Sequence, residues 1–94
     1  MSDDTLRLLD EALLTLDELC RAAPVAPGWV AERIEAGFVR PAGGGRGDWR
    51  FDAVALRRVR RMALLEREFD AVPELAALVA DLEDEIARLR RRIR

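Results

Sequence analysis

A mainly α fold of the winged helix-turn-helix kind, with a small wing β-hairpin and a C-terminal coiled-coil-like helix, is what this sequence predicts. Three observations predict it. A capping-box pattern opens one short helix, and a proline-rich break separates that helix from a second. Two β-like runs then flank a glycine-rich loop, "GFVRPAGGGRGDWRFD". The chain ends in a helical stretch whose large apolar residues alternate at spacings of four and three.

In chain order, residues 1–14 fit neither apolar period: Leu6, Leu8, Leu9, Leu13 and Leu14 read best as a strand joining the wing sheet. In Thr15-Leu16-Asp17-Glu18 the hydroxyl and the carboxylate can each satisfy a free N–H of the other residue, and Leu14 and Leu19 stand at staple positions. The first helix is therefore expected over 16–23. Pro24 ends it, and Pro27 suits the first turn of a helix over 28–36 that stops at Gly37. Val30 and Ile34 form its inward face, completing a helix-turn-helix over 15–36. The wing occupies 37–52, with strands at 38–40 and 49–51. Asp52 can cap a third helix over 53–69, with Leu56, Val59, Met62 and Ala63 inward, before a break that completes segment 53–72. The last segment, 73–94, is a helix from residue 74 nearly to the end. All of this reads as one domain over 1–94.

Composition narrows the function classes. Half of the 94 residues are hydrophobic and 36% are charged, as in a globular chain, and apolar runs such as 75–80 are far too short to span a membrane. The start, Met-Ser-Asp-Asp, lacks the basic and apolar regions of a signal peptide, and the single Cys20 cannot form an internal disulfide. A cytoplasmic setting is expected. Charge is distributed against nucleic-acid binding. Up to Asp52 there are ten acids and six arginines; from Ala53 there are eight acids and ten arginines. The half holding the second helix and the wing is thus the acidic one, whereas neutralised phosphates supply most of a DNA reader's affinity.

No histidine and no tyrosine occurs, so neither a Cys-His nor a Ser-His nucleophile can be built, and no metal ligand set or cofactor site is expected. Asp3-Asp4 and Asp84-Glu85 read as solvated charge, and Cys20 as a small core residue. "AGGGRG" lacks the Lys-Ser/Thr of a phosphate loop and joins two strands, which makes it a wing tip. The run Arg57, Arg58, Arg60 and Arg61 has two readings: a phosphate patch, or a solvated face paired with Glu66, Glu68 and their neighbours.

The second helix carries the candidate binding face. At 3.6 residues per turn, Trp29, Glu32, Glu35 and Ala36 point outward, where a recognition helix meets the major groove. Two carboxylates without Arg, Asn or Gln beside them repel phosphate and read bases poorly. An exposed Trp flanked by carboxylates suits a basic protein surface, with Asp17 and Glu18 as extensions. The other reading of Trp29 packs it against the wing as core. On the last helix, Leu75, Val79, Leu82, Ile86, Leu89 and Ile93 form a seam, either for a homodimer or for packing within the chain with an Asp84–Arg88 pair. Four acids over 81–85 and five arginines over 88–94 favour an antiparallel dimer.

These residues carry a family resemblance. The order of capped helix, turn, second helix, Gly37-Phe38-Val39-Arg40-Pro41, wing, and Trp49-Arg50-Phe51-Asp52 opening a third helix resembles a MerR-type winged helix-turn-helix. More narrowly, it resembles the chaperone-modulator proteins of the CbpM type, and "FDAVPELAALVADLEDEIARLRRRI" is similar to their C-terminal region. The match runs from about Leu13 to the end. The resemblance implies a bacterial, cytoplasmic, non-enzymatic protein that binds the J-domain of a DnaJ-like, curved-DNA-binding-type co-chaperone. Binding would block stimulation of the Hsp70 partner and restrain the co-chaperone's own DNA binding. It also implies a basic helix as the partner's working surface, in agreement with the acidic second helix. The alternative is a MerR-like transcriptional regulator gripping phosphates with Arg46, Arg50 and the 57–61 arginines. Ala31, Glu32 and Arg33 depart from that version, because MerR regulators usually carry an Arg and then an aromatic pair at those places.

Overall fold

In the structure, a computed structural model that describes residues 13–93, four helices follow in order: α1 (Leu16–Ala22), α2 (Pro27–Glu35), α3 (Ala53–Phe69) and α4 (Pro73–Ile93). Local chemistry sets most of their ends. At α1 the Thr15 N–H donates to Glu18 Oε1 at 2.8 Å and the Glu18 N–H to Thr15 Oγ1 at 3.2 Å, so the capping box is formed in both directions. The helix closes one residue earlier than expected, with Ala23 as its C-cap. Pro27 takes the first position of α2, where its missing N–H has no intrahelical partner to lose.

The other end of α2 is a Schellman closure. Gly37 N–H donates to Ile34 O at 3.0 Å and Phe38 N–H to Arg33 O at 2.8 Å, while Gly37 takes φ 82, a conformation that costs a glycine nothing. At α3, Asp52 Oδ1 accepts the Ala55 N–H at 2.8 Å, the cap that the sequence foretells.

The chain divides into two compact units, the first ending at Arg60 and the second beginning at Arg61, so α3 contributes to both. In the first, Leu19, Val30, Val39, Phe51, Leu56 and Val59 are fully or almost fully buried. They come from α1, α2, the segment after α2, the wing and α3, so this core exists only once all five are assembled. In the second, Met62, Leu65, Ala76, Ala77 and Ala80 are buried. Asp70 there holds φ 54, which reverses the chain between α3 and α4, and Arg61 meets Glu83 in a two-pronged ion pair at 2.6 and 2.5 Å. That pair ties the second half of α3 to α4. Ala63, expected inward, is only half-buried.

The wing differs from a regular hairpin. No run of described residues is a strand; of 38–40, expected as one, 38–39 form a bend. Its place is taken by a bridge further along, where Arg50 N–H donates to Gly43 O at 2.9 Å, with Ala42 N–H returning to Arg50 O at 2.8 Å. The neighbouring Phe51 exchanges reciprocal 2.8 Å bonds with Leu14. The expected N-terminal strand over 1–14 lies outside the described residues except at Leu13 and Leu14, and Leu14 does join the wing. The Schellman closure accounts for the bend: Arg33 O also accepts the Val39 N–H at 3.2 Å, holding 38–39 against the end of α2. The tip then turns through Gly44, where a Cβ would sit 1.9 Å from Asp48 O, so only glycine fits.

Candidate functional site

The outward side of α2 carries Trp29, Glu32 and Glu35, and the structure supplies all three with partners from the chain itself. Arg33, one turn from Trp29, is the one buried charged residue among those described, at 7% exposure. Its guanidinium carbon lies 4.1 Å from the centre of the Trp29 ring. Arg33 Nη1 donates to Trp29 O at 3.2 Å and to Glu32 Oε2 at 3.3 Å. Trp29 is thus half-buried beneath a cation, neither a bare anchor nor a core residue. Glu32 keeps a side chain 78% exposed. Glu35 meets Arg46 of the wing tip at 3.2 Å. The face is less acidic than the sequence suggests, because each carboxylate has an arginine beside it. The spacing of Trp29 and Arg33 was a signal for this stack, since residues four apart share a helix face.

Asp17 and Glu18 stand in the first turn of α1. Asp17 lines a half-open cleft of about 400 Å³ with Thr15, Leu16, Gly47, Asp48, Trp49 and Arg50. Asp48 and Trp49 are residues that the sequence did not single out for contact. Glu18 is engaged by the cap: hydrogen bonds from Thr15 hold its carboxyl below the ordinary range. Cys20 is half-buried, and burial together with the Asp17 carboxylate raises its thiol above the ordinary value.

The arginine run finds partners that the sequence did not name. Arg58 Nε donates to Phe38 O. Arg60 donates from Nε and Nη2 to Ala22 O at 3.0 and 2.6 Å, capping the carbonyl end of α1. Arg61 holds Glu83. Arg50, also assigned to phosphate in the regulator reading, is turned onto Asp48 Oδ1 at 2.8 Å and Trp49 O at 3.1 Å.

Most of the 4-3 seam of α4 is exposed. Leu75, Leu82, Ile86, Leu89 and Ile93 are 44–86% exposed and Val79 is half-buried, while Ala76, Ala77 and Ala80 take the buried side. Arg88 pairs with Glu85, one residue from the expected Asp84. No described helix is long and apolar enough to cross a membrane.

Comparison with known proteins adds to this geometry. A family model described as MerR HTH family regulatory protein matches residues 14–94. The chaperone modulatory protein CbpM of Pseudomonas putida (strain GB-1) is 38% identical over 77 residues, covering 82% of this chain and 76% of that protein. The CbpM of Pseudomonas entomophila (strain L48) is 35% identical over the same shares. That of Coxiella burnetii (strain Dugway 5J108-111) is 31% identical over 81 residues, 86% of this chain and 76% of its own.

Proposed function

The chain belongs to the MerR-type helix-turn-helix regulatory family and, within it, to the CbpM-like chaperone modulators, and from that membership we propose that it is a non-enzymatic chaperone modulator acting in the cytoplasm. It binds the J-domain of a DnaJ-like, curved-DNA-binding-type co-chaperone and blocks that domain from stimulating Hsp70. The observation that carries a protein partner over DNA is the outward side of α2: Trp29, Glu32 and Glu35 stand where a DNA reader needs donors. Asp17, in its cleft, extends the contact, and Glu18 lends charge from the cap. The regulator alternative has less to work with, because Arg46, Arg50, Arg58, Arg60 and Arg61 each hold an internal oxygen. A second copy is proposed along the α4 seam.

Calorimetric titration with the isolated J-domain of the host's curved-DNA-binding-type co-chaperone tests the reading, repeated with Glu32→Arg and Glu35→Arg together. Binding by the native protein that the reversed variant loses supports both function and face. Binding that survives reversal moves the site elsewhere, and no binding at all, with salt-dependent affinity for duplex DNA instead, favours the regulator.

A further inference from the structure

We infer that Arg33 is a positioning residue: it fixes Trp29 and Glu32 on the outward side of α2 for a partner that Arg33 itself does not touch. The inference rests on the reading that this face receives a protein. Arginine is seldom this buried unless its charge is matched, and Arg33 Nη1 is shared between two groups of the candidate face. The flat guanidinium lies over the Trp29 ring, so rotating the indole about its first side-chain bond breaks the stack. The same Nη1 reaches Trp29 O and Glu32 Oε2.

The point from which Arg33 reaches out is itself fixed. Its carbonyl accepts both Phe38 and Val39 N–H groups in the closure of α2, which pins the backbone of residue 33 to the start of the wing segment. One residue therefore links the helix end, the aromatic ring and an exposed carboxylate. A glutamate with 78% of its side chain in water would ordinarily sample many rotamers and lose that freedom on binding; the Arg33 bond removes part of the loss beforehand. Glu35 provides an internal contrast, because its partner Arg46 is itself 82% exposed and comes from the wing tip.

The test is a double-mutant cycle on the full chain, read by calorimetry against the J-domain, using Arg33→Met, Glu32→Ala and the pair. Arg33→Met is expected to weaken binding about tenfold, and Glu32→Ala to add little in that background because the carboxylate is already unheld. Glu35→Ala should weaken binding by the same factor with or without Arg33, and Arg33→Lys should recover part of the loss, since an ammonium can also sit over the ring. In the free protein, the Trp29 indole N–H resonance should shift in Arg33→Met while the helical circular dichroism is kept. Native affinity in Arg33→Met, or simple additivity with Glu32→Ala, overturns the positioning role and leaves the modulator function standing. Failure of the native protein to bind removes the modulator function itself, and the positioning role with it. If Arg33→Met does not fold, the cycle run on Arg33→Lys decides by the same additivity criterion.

Discussion

Glu18 shows how far one residue's chemistry reaches. Its carboxylate accepts the Thr15 N–H while Thr15 Oγ1 accepts the Glu18 N–H, and these bonds favour the ionised form. The folded value therefore lies below the ordinary 4.5, which fixes the sign of the pH dependence. The stabilisation is complete above 4.5 and is lost as the pH falls through the lower folded value. Glu83 follows the same rule, because the Arg61 guanidinium holds its carboxyl down. Gln at position 18 can keep the hydrogen bond but cannot titrate. Melting temperatures measured between about pH 5 and about pH 3 should therefore fall less in Glu18→Gln than in the native chain, and less again when Glu83→Gln is added. Equal losses in all three would mean that other carboxylates govern acid unfolding. Every residue of this cap was legible in the sequence, because a capping box is complete within four positions.

Among the elements, what was legible divides by range. α3 begins and ends where the sequence places it, and α1 and α2 are displaced by one residue at most, since Asp52, Thr15, Pro27 and Gly37 act on neighbours. The wing was less legible: the second bond into residue 33's carbonyl, from Val39, depends on how 38–39 folds back, and no local pattern encodes that. The arginines of α3 were the least legible, because Arg58 and Arg60 find carbonyls twenty and thirty-eight positions away. A sequence shows four arginines in five positions; only the fold shows which of them are bolts. A measurable difference follows between neighbours on one helix. Arg60→Ala removes two charge-assisted bonds from the last turn of α1 and should cost about 1 kcal/mol, read by urea unfolding. Arg57→Ala, at an exposed position, should stay within about 0.5 kcal/mol. If Arg57→Ala is as costly as Arg60→Ala, the capping role assigned to Arg60 is wrong.

For the whole molecule the unresolved burial is on α4. Soluble chains rarely leave a continuous row of leucine and isoleucine in water, yet Leu75, Leu82, Ile86, Leu89 and Ile93 lie in one such row, and the alanines of the same helix occupy its buried side. A second copy laid along the row would cover it, and charge selects the orientation. Parallel helices would bring the acids of 81–85 onto acids and the arginines of 88–92 onto arginines, whereas antiparallel helices cross them. The seam then centres so that Leu82 of one copy meets Ile86 of the other. Ile86→Glu should abolish the rise of melting temperature with protein concentration that a dimer shows, and sedimentation should report a monomer. Orientation has its own test, in a chain where Cys20→Ser removes the native thiol. Mixed Leu82→Cys and Ile86→Cys chains should cross-link to each other faster than either does to itself if the helices run antiparallel. Faster self-linking of Leu82→Cys would mean that they run parallel, and that the row of acids is neutralised by something other than the partner's arginines.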